Sequence, residues 1–447
     1  MASISALGVG SGLDLSGLVD QLRAAERQKL VPVLEQQSAQ KTKISAYGRL
    51  QSAMERVQTA VSSLNDTATF KQQKSTVTGD GVLANASQTA NPGRYEISVT
   101  QLARGSSVAS QSVALNDELS ATPTTLKLEF ASGSAIDIDI AAGSTLSDVR
   151  DQINATKESG VTASLINDGT GYRLALSSKE TGKEASLTKF SGLNSLEMDA
   201  TTLRAGQDAE LDVNGISITS KTNRVEEAIQ GVTLDLTEAS DKPVTLVIER
   251  DQEALRGAID EFVKNYNEMK STVGRMTKFN GEGEISGELI GDRTVRTIEN
   301  RLRQDVTSDL GEGDIQRLSQ IGISLDKQGR LEVDDDKLNE AIASDPAALS
   351  GFFAGDTKDA GFAGRLNTTL EAITKEDGLI QSSVGSAELR VDSLEQRKLR
   401  MESSIERSME RYRKQFSQLD GMIAQMNSMS SYLGQQFDLL SNMQKAK

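Results

Sequence analysis

Histidine, cysteine and tryptophan are all missing from this chain of 447 residues, and only 5 residues are proline. Without imidazole or thiolate ligands the chain can build no zinc finger and no iron–sulfur cluster. The same absences exclude a cysteine nucleophile, a histidine-based triad and a structural disulfide. The chain either uses carboxylate, lysine, serine or tyrosine side chains for catalysis or is not a catalyst.

Long apolar runs are also missing from the sequence. No stretch of about 20 apolar residues occurs, so we expect no membrane insertion. Residues 1–13 lack a basic start followed by an apolar block, so we expect no cleaved signal peptide. A cytosolic protein is the default interpretation. A protein exported unfolded through a narrow channel would equally lack disulfides, and composition does not separate the two.

The net charge of −15 is unevenly distributed along the chain. Residues 1–75 hold 9 basic and 6 acidic side chains, and residues 386–447 hold 10 and 8. The remaining 310 residues therefore carry 30 basic against 50 acidic side chains. An acidic body of this kind repels phosphates, so we expect no binding to nucleic acid.

The C-terminal segment carries an apolar stripe with a mean spacing of about 3.5 residues, the repeat of a left-handed coiled coil. Gly421 and Gly434 interrupt the stripe, each at about 1 kcal/mol relative to alanine. Six positions form the predicted coiled-coil seam: Ile405, Met409, Tyr412, Phe416, Leu419 and Met426.

The N-terminal segment shows matching stripes, with Pro32 expected to end or kink the first helix. Leu15, Leu18 and Leu22 follow one face before Pro32, and residues 44–64 step by threes and fours after it. Two such stripes at opposite ends of the chain need partners. The sequence predicts that the termini pack on each other or on neighbouring subunits, with the acidic middle inserted between them.

The middle of the chain switches to a spacing of two, which is typical of half-buried antiparallel strands. One stretch ends with strands at 161–166 and 172–176, and Thr145 with Asp148 predicts a capped short helix before them. A second stretch contains the hairpin signal Asn214-Gly215, and residues 225–229 suggest another short helix. After Asp251 the helical spacing returns.

Two local patterns invite a functional interpretation that their context does not support. Gly8, Gly10 and Gly12 resemble a phosphate-binding loop, but no strand precedes them and no Gly-Lys-Ser/Thr follows. Residues 334–336 could offer oxygens to calcium but lack the EF-hand spacing, and acidic residues at a helix start explain them more simply. We therefore expect no cofactor, no metal site and no enzymatic activity.

Several segments resemble the bacterial flagellar filament cap proteins, the hook-associated protein 2 family. They follow the order of that family over almost the whole chain. The segments are GVGSGLDLSGLV from Gly8, KISAYGRL from Lys43, GRYEISVTQLA from Gly93, INDGTGYRLALSS from Ile166, AELDVNGISITS from Ala209, GVTLDLTEASDKPVTLVIERD from Gly231, IGISLDKQGRLEVDDDKL from Ile321 and YLGQQFDLL from Tyr432. TLSDVRDQINA from Thr145 also resembles a repeat of flagellin-type insert domains.

The resemblance implies a multidomain α+β protein built as nested insertions. Terminal coiled-coil helices and a helical-bundle domain would carry two inserted β-rich head domains. The expected parts are a terminal leg of 1–43 and 415–447, a helical domain of 44–75 and 251–414, a first head of 76–104 and 195–250, and a second head of 105–194.

The resemblance also implies a function at the filament tip. Five or six copies would form a ring, and the legs would dock into the filament so that exported flagellin is retained, folds and inserts beneath the ring. The implied partners are other copies of the chain, flagellin, the hook–filament junction proteins and a cytosolic export chaperone at the C-terminal helix. Secretion would use the flagellar export apparatus and place the protein outside the cell.

Six leucine and phenylalanine residues are the candidates for filament or partner binding. Two alternatives stay open at this stage: another axial protein, such as a junction protein or flagellin, and an adhesin that acts through the heads. The six candidate residues are Leu15, Leu18, Leu22, Leu433, Phe437 and Leu440.

Overall fold

The computed structural model describes residues 12–281, 286–311 and 313–445, without the side chains of Asp241 and residues 439–445. The chain divides into two compact units. Unit 1 comprises the residues up to Thr67 and from Arg256 onward, and unit 2 runs from Ala68 to Leu255. Unit 2 is therefore inserted into the sequence of unit 1, and the predicted mixture of helical and β-rich parts is confirmed.

The described helices occupy both ends of the chain, with one short helix in the middle. They are α1 (Leu15–Gln28), α2 (Val31–Leu64), α3 (Leu146–Ala155), α4 (Gln252–Thr277), α5 (Arg293–Thr307), α6 (Asp335–Ser344), α7 (Pro346–Phe353), α8 (Gly361–Thr374) and α9 (Leu379–Lys445).

The described strands lie in the middle, apart from one small hairpin. They are β1 (Gln73–Thr78), β2 (Val82–Ala86), β3 (Gly93–Gln101), β4 (Ser107–Ser110), β5 (Thr124–Phe130), β6 (Ala135–Ile140), β7 (Val161–Asn167), β8 (Tyr172–Ser178), β9 (Leu187–Ser191), β10 (Met198–Arg204), β11 (Ala209–Val213), β12 (Ile216–Ser220), β13 (Arg224–Ile229), β14 (Val232–Leu236), β15 (Ser240–Arg250), β16 (Ile323–Leu325) and β17 (Leu331–Val333).

The start of α1 and its break before α2 follow from two residues. Asp14 caps α1, since its Oδ1 accepts a hydrogen bond of 2.8 Å from the backbone N–H of Gly17. Pro32 lies in the first turn of α2, where no backbone donor is needed. The predicted interruption at Pro32 is confirmed, because α1 ends at Gln28 and α2 begins at Val31.

Unit 2 contains two hydrophobic cores. The first lies between the sheet β1-β15-β3-β11-β12 and the sheet β13-β14-β2, and Ile97, Leu211, Leu234 and Leu246 are buried in it. The second lies between the sheet β10-β4-β8-β7, the sheet β6-β5-β9 and α3. We call these two parts the first and second heads. The boundaries given above for them stay predictions.

The local signals in the heads are mostly confirmed. Thr145 and Asp148 form a reciprocal capping box at the start of α3, and β11 and β12 pair across Asn214-Gly215. The predicted helix at 225–229 is wrong, because these residues form β13. A bulge between Glu226 and Ile229, where Glu227 has φ of 60°, breaks the alternation. The bulge adds residues to β13, so the apolar residues of this strand recur with a spacing that resembles a helix.

A buried carboxylate joins α2 to α5 in unit 1. Asp292 is the N-cap of α5, and its Oδ1 accepts from the backbone N–H groups of Thr294 and Val295. Its Oδ2 accepts from Lys43 Nζ at 2.6 Å and from Tyr47 Oη at 2.8 Å. Burial alone would raise the pKa of Asp292, but the bonds from Lys43, Tyr47 and Val295 outweigh burial and hold it below 3.8.

A second aspartate on α5 is in the opposite situation. Asp305 lies close to the end of the helix, where a negative charge is unfavourable, and its Oδ2 has no hydrogen-bond partner among the described residues. Burial raises the pKa of Asp305 above 3.8, despite a hydrogen bond from Thr369 and the charges of Arg365 and Arg301. Ionised Asp305 therefore destabilises the folded chain, because the cost of burying its charge exceeds the stabilisation from Thr369, Arg365 and Arg301.

Replacing each of these two aspartates by asparagine should change the free energy of unfolding in opposite directions. At pH 7, Asp292→Asn should lower the free energy of unfolding by about 2 kcal/mol, because it removes a buried ion pair, whereas Asp305→Asn should raise it. The Asp292 contribution is present above pH 3.8 and is lost as pH falls through its lowered pKa. The Asp305 cost falls as pH drops through its raised folded-state pKa, and is gone well below 3.8, where the folded and unfolded states are both protonated.

Chemical unfolding of the two variants and the wild-type chain at pH 7 and at pH 3 to 4 measures both effects. The assignment fails if Asp305→Asn destabilises the chain at pH 7, or if either difference grows on acidification.

Candidate assembly surface on the terminal helices

The long helix α9 is held in unit 1 by an antiparallel contact with α2. Gln37 Nε2 donates to Glu395 Oε2 at 2.8 Å, and Gln381 Nε2 donates to Gln51 Oε1 at 3.1 Å. Residue numbers rise along α2 as they fall along α9, which defines the antiparallel direction. The pair therefore runs from the body of the helical bundle toward the N-terminal end of α2.

The contact continues from α2 onto α1. Val19 and Leu30 are buried against Ile405 and Met409 of α9, and Met409 has no exposed surface. Half-buried side chains extend this cluster along both helices: Leu22, Met401, Tyr412 and Phe416. The cluster is an apolar seam of the kind that the 3.5-residue spacing predicts.

On α1, Val19 and Leu22 face α9 and Leu15 is also buried, whereas Leu18 is exposed. Leu15 is 4% exposed and Val19 3%, but Leu18 is 42% exposed. The sequence interpretation chose Leu18 and missed Val19. The spacing of four and three residues from Leu15 through Val19 to Leu22 is the signal that identifies the buried face.

Beyond Phe416 most of the apolar stripe on α9 is exposed, although Ile423 is half-buried. Leu419 and Met426 of the predicted seam are exposed, and every residue of α9 from Gln425 to Asp438 is exposed. The large exposed side chains define what we call the open stripe: Leu419, Met422, Met426, Met429, Tyr432, Leu433 and Phe437.

The residues predicted to bind the filament do not share one environment. Leu22 packs toward α9 and Leu15 is buried, Leu18 is exposed on α1, and Leu433 and Phe437 lie on the open stripe. The structure does not bring the residues of α1 together with those of the open stripe, because α1 reaches the part of α9 before Leu419. The side chain of Leu440 lies outside the described residues.

The chemistry of the open stripe suits a large apolar partner. Met422, Met426, Met429, Leu433 and Phe437 are spaced by three or four residues, which aligns them on one helical face. Methionine adapts to irregular surfaces. Only Asp420 and Asp438 are charged between residues 418 and 438. Such a face fits the groove of another protein, in the manner of an amphipathic helix.

Two other kinds of feature are not found in the described part of the chain. Among those residues no group of three or more acidic side chains is placed to hold a metal ion. None of the helices described is both long and apolar enough to cross a membrane.

Models of known protein families match most of the chain. The model of the flagellar hook-associated protein 2 C-terminus matches residues 206–428, and that of the N-terminus matches residues 11–106. A relative from Escherichia coli K12, flagellar hook-associated protein 2, is 34% identical and covers 99% of this chain and 100% of its own length. The chain belongs to the hook-associated protein 2 family. A third model, the flagellin hook IN motif, matches residues 125–180 in the second head.

Other members of the hook-associated protein 2 family show similar agreement. The protein from Salmonella typhimurium is 33% identical over 99% of this chain and 100% of its own. The A-type protein of Pseudomonas aeruginosa is 30% identical over 98% of both chains. The crystal structure of the flagellar cap protein FliD D1-D2-D3 domains from Escherichia coli superposes with a TM-score of 0.66 at 31% identity, and covers 77% of this chain and 99% of that one.

A methionine-to-alanine substitution should affect the free energy of unfolding differently in the paired and the open parts of α9. Met409→Ala should lower the free energy of unfolding of the helical unit by about 2 to 4 kcal/mol, because it leaves a cavity in the seam. Met426→Ala is the matched control, and should change it by less than about 0.5 kcal/mol because Met426 is 64% exposed.

Denaturant unfolding of both purified variants, followed by helical circular dichroism, gives the two values. If Met409→Ala and Met426→Ala lower the free energy of unfolding equally, both side chains are covered in the free chain. That result would contradict the conclusion that the α1–α9 seam ends near Phe416.

Proposed function

We propose that the chain caps the tip of a bacterial flagellar filament as a ring of five or six copies, and retains exported flagellin so that it folds and inserts beneath the ring. The observation that supports this most is the open stripe. An apolar helical face that is largely exposed needs a partner, and the related proteins are flagellar cap proteins.

The open stripe is the part of the leg that docks into the filament in this proposal. Each fully buried leucine, phenylalanine or methionine contributes about 1.5 to 3 kcal/mol relative to its exposed state. Met426, Met429, Leu433 and Phe437 are each about half exposed or more in the free chain. Covering several of them in each of several copies is enough to hold a ring on the filament, and no single contact has to be strong.

The paired part of α9 fixes the position at which the docking segment of the leg begins. The α1–α9 seam is buried before any partner arrives, so the docking segment begins at a fixed place near Leu419. The cap would act sterically and mechanically, with the energy supplied by insertion and folding of flagellin. We propose no catalytic step and no cofactor.

Before assembly the same stripe needs protection. We propose that a cytosolic export chaperone covers the C-terminal helix until the chain leaves through the flagellar export apparatus to its place outside the cell. The hook–filament junction proteins would be the first surface that the ring meets, before any flagellin has been added. The adaptable methionine side chains of the stripe suit this succession of partners.

Two exposed positions on the open stripe test the docking role. Leu433→Asp combined with Phe437→Asp should abolish attachment to the tip, because carboxylates would have to be buried on docking. Both side chains are exposed, at 49% and 68%, so the free chain should keep its unfolding midpoint. The measurement is complementation of a strain without the gene, scored by swimming and by flagellin shed into the medium.

A matched control uses two exposed leucines on the same helix but outside the open stripe. Leu389→Asp with Leu399→Asp changes the charge of α9 equally, and these side chains are 73% and 48% exposed. This variant should support normal filaments. The proposal is wrong if the double variant at 433 and 437 swims like the wild type with full-length filaments.

A further inference from the structure

The methionines of this chain differ sharply in exposure. Among the described side chains, the exposed methionines are Met422, Met426 and Met429, at 62%, 64% and 58%. All three lie on the open stripe. The other described methionines are buried or half-buried: Met54, Met198, Met269, Met276, Met401 and Met409.

Exposure decides which methionines a peroxide can oxidise. Peroxides attack the sulfur atoms of cysteine and methionine, and this chain contains no cysteine. A peroxide must reach the Sδ atom to react, so a buried methionine reacts only when the fold around it opens. The thioethers of the open stripe are therefore the accessible sulfur atoms in the described part of the chain.

The reaction transfers one oxygen atom to the sulfur. A lone pair of Sδ attacks one oxygen of hydrogen peroxide, so that an S–O bond forms as the O–O bond breaks. The sulfur is oxidised by two electrons. The peroxide is reduced, and its second oxygen leaves as water after taking the proton of the transferred oxygen. The product, methionine sulfoxide, is polar, and methionine sulfoxide reductases can convert it back to methionine.

The position of the three methionines makes this change important for the open stripe. Their spacing of four and three residues places the three side chains on one face of α9. Leu419 precedes them on the stripe and Leu433 follows them. Three sulfoxide oxygens would therefore lie in the middle of an apolar face, where burying them against an apolar partner is unfavourable.

We propose that Met422, Met426 and Met429 form an oxidation site for peroxides, and that their conversion to sulfoxides prevents the leg from docking. This inference rests on the proposed docking role of the open stripe. In the free chain the three sulfur atoms are accessible, whereas docking would cover them. Attachment is therefore sensitive to a peroxide before the leg docks and resistant after it has docked.

Peptide mass spectrometry of the full chain after treatment with hydrogen peroxide tests the site itself. The three methionines of the stripe should be oxidised at least about tenfold faster than the buried Met54, Met269 and Met409, which react only after local opening. Equal rates of oxidation for the exposed and the buried methionines would overturn the inference.

Attachment to flagella of a strain without the gene tests the consequence of oxidation. The purified full chain is treated with hydrogen peroxide, freed of it and added to these flagella, and antibody-labelled ends are counted in electron micrographs. Treatment should lower the count at least about tenfold, because sulfoxides oppose burial of the stripe. Reduction by methionine sulfoxide reductases should restore it. Chains that attached before the treatment should stay attached.

Replacing the sulfur atoms identifies the responsible residues. The triple variant Met422→Leu, Met426→Leu and Met429→Leu keeps apolar side chains of similar volume but has no thioether on the stripe. Compared with its own untreated form, it should lose no attachment on treatment. Met198→Leu is the matched control, since it removes a half-buried methionine of the second head and should remain as sensitive as the wild type.

The possible outcomes separate this inference from the docking role. An untreated wild-type chain that does not attach contradicts both. A wild-type chain that attaches normally while it carries sulfoxides at all three positions contradicts only the oxidation site. A triple variant that loses attachment on treatment, or a loss in the wild type that the reductases do not reverse, would also overturn the inference.

Discussion

The unequal length of two paired helices leaves part of an apolar helical face exposed. The helix α1 has 14 residues and α9 has 67, which is about 100 Å at the rise of an α-helix. Their apolar seam can extend only as far as α1 does, and beyond Phe416 the stripe of α9 continues without it. Stable packing at the base and an available apolar face at the end therefore belong to one continuous helix.

The rest of the molecule is arranged around that pair. The seam continues onto α2, and α2 is fixed to α5 by the buried carboxylate of Asp292 with Lys43 and Tyr47. Because the heads are inserted between the two halves of unit 1 in the sequence, one chain carries both a docking leg and a pair of β-rich heads. In the proposed cap, the leg contacts the filament and the heads belong to the ring.

Periodicity in the sequence was sufficient for most of the element types, but not for the points at which contacts between helices end. The stripe of α9, the capping box at Thr145 and the hairpin at Asn214-Gly215 are local signals, and each corresponds to the observed element. The bulge in β13 imitates a helical spacing, and only the partner strand reveals it. The point where the seam stops could not be predicted either, because the apolar stripe has the same spacing in its paired and open parts. Which residues bind the filament stays a prediction.

Hydrogen exchange along α9 tests the central claim most directly. In the free chain, the amides of residues 422–437 should exchange at least about tenfold faster than those of residues 401–416, because no packing opposes local unfolding there. When the cap is bound to filament tips, residues 422–437 should become protected to a similar degree. Equal protection of the two segments in the free chain, or no gain in protection on binding, would contradict the account.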